Sequence, residues 1–359
     1  MPTPAVGYAA KNKRANLKPT AFERRDLGDH DVQIAALYCG LCHSDIHQVR
    51  NEWGNTVYPC MPGHEIVGRV TGVGARVSAH RVGDLVAVGC MVDSCRTCAP
   101  CRAGDEQYCE GPKGWTATYN GPQKPDGTNT FGGYSSAIVV AEHFVLRVPP
   151  ALEARGLASV APLLCAGVTT FSPLRHWKVG PGQRVGVAGF GGLGHVAVQI
   201  ARALGAEVVC LTRSKKAKEA DARRLGATEV VDTTDRKAMA AHELSLDLVL
   251  STIPEAHDVN PYVQLLKRDG TLVVVGTLGP FQKPTNNQQV AFHRRSVAGS
   301  LIGGIAETQE VLDFCAEHGI TAQVEVIPVD EVNDAFDRVV DGQVRYRYVL
   351  DLATLPAGA

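Results

Sequence analysis

Six residues, Gly189-Phe190-Gly191-Gly192-Leu193-Gly194, constrain this chain more than any other stretch. They match G-x-G-x-x-G, they follow the strand-like run RVGVA, and they open the helical run HVAVQIARALGA. In that context the glycines serve a tight turn and a close approach of backbone N–H groups to a pyrophosphate at a helix N-terminus. The same rhythm runs from about Ala161 to Ile302: EVVCLT, LDLVLST and TLVVVGT read as strands, and KAKEADARRLGA fills a gap with helical periodicity. Strands alternating with helices imply a doubly wound parallel sheet.

From about Val32 to Val148 the pattern changes to short apolar runs broken by Gly, Pro and Asp, among them VQIAALYC, HEIVGRVTGVG, DLVAVGC and YSSAIVVAEHFVLRV. This predicts an irregular, β-rich, barrel-like domain. After Ile302, TQEVLDFCAEHG and VNDAFDRVVDG read as helices and RYRYVLDL as a closing strand. That tail is too small to fold alone, so it is expected to return to the first domain. The nucleotide-type domain, 161–303, is then an insertion in a β-rich domain made of 1–160 and 304–359.

The stretch DSCRTCAPCRAGDEQYC carries Cys95, Cys98, Cys101 and Cys109 at the spacing a tetrahedral zinc ion needs. Four thiolates leave no place for water or substrate, so this lobe, about 90–112, is expected to hold structure rather than to catalyse. Eleven cysteines is an odd number, and MPTPAVGYAAKNK lacks a charged start followed by an apolar stretch. A reducing cytoplasm is the expected location, with thiols as ligands or core residues. A net charge of -1 offers no basic footprint for nucleic acid. No apolar run approaches the roughly 18 residues of a membrane span.

Dinucleotide choice is read at the end of the second strand, where NAD sites offer a carboxylate to the ribose. LTRSKKAK contains no acid and carries Arg213, Ser214, Lys215, Lys216 and Lys218. NADP(H) is therefore expected.

A catalytic zinc keeps one position open and needs three protein ligands. Candidates lie in CGLCHSDIH and in PGHEIVGRVTGVGARV, which fits G-H-E-x2-G-x5-G-x2-V. With these motifs the chain resembles a zinc-dependent medium-chain alcohol dehydrogenase, of the cinnamyl alcohol dehydrogenase and bacterial aldehyde reductase branch. PLLCAGVTTFSPLRHW and AGSLIGG carry the same likeness.

The resemblance implies a GroES-like catalytic domain with an inserted Rossmann domain, two zinc ions per chain and NADP(H). It implies Cys42, His64 and Cys165 as catalytic zinc ligands, with Glu65 able to join them, and Cys95, Cys98, Cys101 and Cys109 as structural ligands. Ser44 and His47 match a proton relay, Asp45 an acid that orients a ligand histidine, and His43 a neighbour of the cofactor pyrophosphate. Thr169, Thr252, Gly276, Ser300, Leu301 and Ile302 match cofactor contacts. Trp53, Leu301 and Ile302 fall where the branch lines its pocket, which implies aromatic or medium-chain aldehydes and primary alcohols. Cys39, Cys60, Cys90, Cys210 and Cys315 are expected to be non-ligands, Cys90 beside the pocket. Pairing into a homodimer through the last strand of the inserted domain is expected. A reductase of iminium ions or conjugated double bonds within the branch, or a non-catalytic zinc or nucleotide-binding protein, is the alternative. A zinc-free quinone reductase would lack both cysteine sets.

Overall fold

The computed structural model describes residues 3–121, 129–276 and 279–356. The chain forms two compact units, one of Met1–Cys165 with Gly303–Ala359 and one of Ala166–Ile302.

The first unit is built on a seven-stranded sheet whose central strand is Asp31–Gly40. Along it Val32, Ile34 and Ala36 are buried while Gln33, Ala35 and Leu37 are partly exposed, the alternation of an antiparallel strand with one face on a core. Ile66–Val73 pairs with it antiparallel, and so does Ala137–Ala141. The tail completes this sheet. Val324–Pro328 lies parallel to Arg347–Asp351, which pairs antiparallel with Tyr38, Cys39 and Gly40. Residues separated by some 300 positions of chain thus meet at one end of one sheet, because strand pairing follows register and not sequence distance.

The second unit is a six-stranded parallel sheet: β1 (Arg184–Ala188), β2 (Glu207–Thr212), β3 (Glu229–Asp232), β4 (Leu246–Ser251), β5 (Leu266–Val274) and β6 (Ser296–Gly299). Their spatial order is 3-2-1-4-5-6. Strands β1 and β2 are almost wholly buried, as expected when helices cover both faces. The order reverses between β1 and β4, and ligands of open parallel sheets bind beyond the strand ends at such a switch point. The glycine-rich turn follows β1 directly.

Gly189 has φ of 90°, a left-handed conformation that favours glycine. A Cβ on Gly194 would lie 2.0 Å from the Gly189 carbonyl oxygen, whereas one on Gly191 would meet nothing within 4 Å. The first clash is against backbone and cannot be relieved by a side-chain rotation. In thermal unfolding of the ligand-free protein, Gly194→Ala is expected to cost about 1–3 kcal/mol, as overpacking does, and Gly191→Ala within about 0.5 kcal/mol. Equal shifts would contradict this reading of the turn.

Candidate active site and metal centres

One end of the first unit's sheet gathers four donors. Cys42 caps the helix His43–Val49 just beyond the strand that ends at Gly40. His64 and Glu65 precede the strand Ile66–Val73, and Cys165 ends the turn Ala161–Leu164. The ligand atoms of Cys42, His64, Glu65 and Cys165 all lie within 4.8 Å of one another, and all four residues are buried. Gly40 has to be glycine for this to happen, since a Cβ there would sit 1.9 Å from Glu65 Oε2.

Asp45 holds the cluster. It is fully buried and accepts hydrogen bonds from Cys42 N (2.8 Å), Gly63 N (3.1 Å), His64 Nδ1 (3.1 Å) and the Tyr134 hydroxyl (3.1 Å). With Nδ1 engaged, His64 is left to offer Nε2, the usual way a ligand imidazole is oriented.

Glu65 forms a buried ion pair with Arg347 from the tail strand. Burial pushes its carboxyl up to about 7 while Arg347 opposes the shift. Its Oε2 and Arg347 Nε are buried without a partner. A hydrogen bond from Cys165 pulls the Cys42 thiol well below its ordinary value, and the same contact pushes Cys165 well above it. Two sulfurs, an imidazole and a carboxylate with one oxygen to spare form a donor set that fits zinc.

The second cluster, Cys95, Cys98, Cys101 and Cys109, is likewise within 4.8 Å. Cys95 Sγ accepts from Cys98 N (3.3 Å), Cys98 Sγ from Glu110 N (3.4 Å), and Cys109 Sγ from Cys95 N and Gly111 N (3.4 Å each). Backbone N–H groups of Thr97 and Cys98 bring the Cys95 thiol down to about 5. Amides aimed at sulfur stabilise thiolates, so this set also fits zinc, with all four positions filled by protein. Glu106, in the same lobe, accepts from Ile305 N (3.0 Å) and His143 Nε2 (2.9 Å), fastening the lobe to the helix Ile305–His318.

Two family models match the chain. Residues 28–150 match the alcohol dehydrogenase GroES-like domain and residues 192–317 the zinc-binding dehydrogenase family. Aldehyde reductase YahK of Escherichia coli is 52% identical over 98% of each chain. The chain belongs to the zinc-dependent alcohol dehydrogenases. The NADP-dependent alcohol dehydrogenase C 1 of Mycolicibacterium smegmatis is 50% identical over 97% of this chain and 98% of its own. A solved cinnamyl alcohol dehydrogenase from Sorghum bicolor superposes with a TM-score of 0.94 at 42% identity, covering 99% of this chain and 100% of that one.

The remaining family positions divide by what they touch. Ser44 Oγ is 3.7 Å from Cys42 Sγ. His47, partly exposed, pairs through Nδ1 with Glu52, and its ring lies 5.3 Å from that of His43 and 5.5 Å from that of Trp53. In the second unit, Thr252 Oγ1 donates to the carbonyls of Ala188 (3.0 Å) and Gly189 (3.1 Å), and Lys218 Nζ to that of Phe190 (2.8 Å). Both side chains therefore brace the glycine turn itself. So does His195, whose Nδ1 donates to Gly191 O (2.9 Å) and which the motif reading passed over. Arg213 is exposed at the end of β2, and Ser214 N bonds Thr212 Oγ1 (3.2 Å). Thr169 Oγ1 is buried with no partner. Gly276 packs against the backbone of Thr252 and Ile253, Ser300 N donates to Val274 O (3.3 Å), and Leu301 and Ile302 are partly exposed.

Sequence reasoning missed Glu52, Tyr134, Glu106 and Arg347. Glu52 carried a signal, an acid one turn beyond the helix that bears His47. The others sit far along the chain from what they touch.

Asp45→Asn replaces an acceptor toward His64 by a group that can present N–H instead. Affinity for the catalytic zinc should fall by about 10–100-fold, with the lobe's zinc retained. Metal analysis after dialysis against a chelator measures both.

Proposed function

We propose that this zinc alcohol dehydrogenase interconverts aromatic or medium-chain aldehydes and their primary alcohols with NADP(H). The observation that carries the reading is the buried donor set, in which Cys42, His64 and Cys165 converge with Glu65, one of whose oxygens is engaged by Arg347. When bound, zinc on those three residues supplies Lewis-acid polarisation of the substrate oxygen, and the nicotinamide supplies or accepts the hydride.

The chain's own residues do the rest. Asp45 fixes the ring of His64. Arg347 pairs with Glu65, and by holding its carboxylate it would leave a bound zinc a position for substrate. Ser44 accepts or delivers the proton of the reacting oxygen, and His47 carries it toward solvent, with Glu52 steadying the imidazole. Gly189 makes the turn, its own N–H held by Leu211 O, and Gly191, Gly192, Leu193 and Gly194 receive the pyrophosphate on backbone N–H groups at the start of the helix Gly194–Ala203. Thr169, Thr252, Gly276, Ser300, Leu301 and Ile302 complete the cofactor's surroundings, and Lys218 keeps the turn in shape. Trp53, half-exposed beside His47, adds apolar surface for an aromatic substrate. A relay built on Ser44 and His47 supports carbonyl chemistry over reduction of conjugated double bonds.

The aldehyde reductase and NADP-dependent names of the relatives support the cofactor and substrate classes. No single helix among the described residues is long and apolar enough to cross a membrane, and the one bent pair that passes on composition, 157–164 with 166–176, is buried throughout 160–171. Eleven free thiols support a reducing cytoplasm. Strand β6 ends its sheet with a partly exposed edge, which supports a homodimer in which two copies pair there.

His47→Ala should leave zinc content unchanged and lower turnover by about tenfold to a thousandfold, moving the pH profile of kcat. Unchanged rates at every pH would remove His47 from the relay.

Arg213 is the test of cofactor choice. Pairing with a 2′-phosphate is a charge-assisted contact worth about 1.5–3 kcal/mol, or roughly ten- to a hundredfold in discrimination. Arg213→Asp adds repulsion against the phosphate and acceptors for free ribose hydroxyls. The ratio of kcat/KM for NADPH and NADH with one aldehyde should shift by at least that much, and a ratio within about twofold of the parent's would make Arg213 a solvated charge.

A further inference from the structure

All eleven cysteines are unpaired. Four belong to the lobe, Cys42 and Cys165 belong to the catalytic cluster, and Cys39, Cys60, Cys210 and Cys315 are sealed in the core. Cys90 is different. It is a non-ligand, it is partly exposed, and it lies in the turn between the strands Leu85–Val88 and Met91–Asp93. Thr118 pins that turn from both sides, donating through N to Cys90 O (3.1 Å) and through Oγ1 to Gly89 O (2.5 Å). The pinned thiol points at the other cluster: Cys90 Sγ donates to the carbonyl of Leu164 at 3.7 Å, the peptide that leads into Cys165.

We infer that Cys90 and Cys165 are an oxidisable dithiol whose closure to a disulfide withdraws Cys165 from the catalytic metal and releases the ion. The inference rests on the reading of Cys165 as a zinc ligand. The oxidant is a hydroperoxide. Cys90 sulfur attacks one peroxide oxygen, the O–O bond breaks, and the sulfur becomes a sulfenic acid as water leaves. Cys165 sulfur then attacks Cys90 sulfur, the S–S bond forms, the S–O bond breaks, and hydroxide departs to be protonated to water. Two thiols and one hydrogen peroxide yield one disulfide and two waters, with two electrons passing to the peroxide.

Accessibility assigns the order of events. Cys42 and Cys165 are 4% and 7% exposed and are bound to the ion in the holoenzyme, so neither is open to peroxide first. Cys90 is a non-ligand and partly exposed, with its sulfur against the peptide that leads into Cys165. The structural lobe has no such neighbour, since each of its thiols is itself a ligand and backbone N–H groups surround them. Loss is therefore confined to one of the two metal centres, and a thiol reductant with fresh zinc reverses it.

The test uses holoenzyme treated with hydrogen peroxide while a chromogenic chelator reports free zinc, followed by non-reducing peptide mapping. One zinc of the two per chain is expected to leave, together with appearance of a peptide linking Cys90 to Cys165, and dithiothreitol with zinc should restore activity. Cys90→Ala and Cys90→Ser should each begin with two zinc ions and release one about tenfold more slowly or slower still. Equal release from parent and both variants overturns the proposal, and so does a Cys42–Cys165 or lobe disulfide as the oxidised product. A link between Cys90 and Cys165 without zinc loss overturns the release step alone. Fewer than two zinc ions before oxidation overturns instead the ligand reading beneath it.

Discussion

Asp45 is a carboxylate taken wholly out of water, and such a group is tolerated only when its lone pairs are filled. Here four donors fill them, from the helix cap at Cys42, the loop at Gly63 and His64, and the ring hydroxyl of Tyr134. Each donor belongs to an element that would otherwise be free to shift against the others. The carboxylate thereby sets the spacing between Cys42 and His64 in the donor cluster, and its charge also favours a cation nearby. Structural satisfaction and metal recognition are the same set of bonds.

A second buried carboxylate is satisfied differently. Glu65 has one charged partner and one idle oxygen, an arrangement that costs stability in a finished core. Yet Glu65 lies among the clustered donors with that oxygen unpaired, while Arg347 holds the other. The two acids stand twenty residues apart in sequence yet address the same histidine, Asp45 at Nδ1 and Glu65 on the side of Nε2.

What could be read from sequence was local. The lobe's cysteines fall within fifteen residues, so their spacing alone describes a tetrahedron, and the glycine turn is six residues between a strand and a helix. Composition at the end of β2 is equally local, which is why the absence of an acid near Arg213 was visible. Long-range partners were not: nothing near Glu65 announces Arg347, and RYRYVLDL reads only as a strand. Nor does sequence tell where a long side chain ends. Lys218 and Thr252 have residue types suited to a cofactor, yet their polar atoms grip the carbonyls of the turn, a distinction that only coordinates resolve.

The insertion of one unit inside the other has a consequence for synthesis. Cys42, His64, Glu65 and Cys165 leave the ribosome before any of the inserted unit, while Arg347 and the strand that carries it arrive after all of it. Until then the central strand Asp31–Gly40 lacks its tail neighbour, and Glu65 has no counter-charge with which to be buried. The inserted unit, continuous in sequence, is free to fold first. Completion of the sheet and burial of Glu65 therefore wait for the strand Arg347–Asp351, so the donor cluster is finished only after the inserted unit has been made.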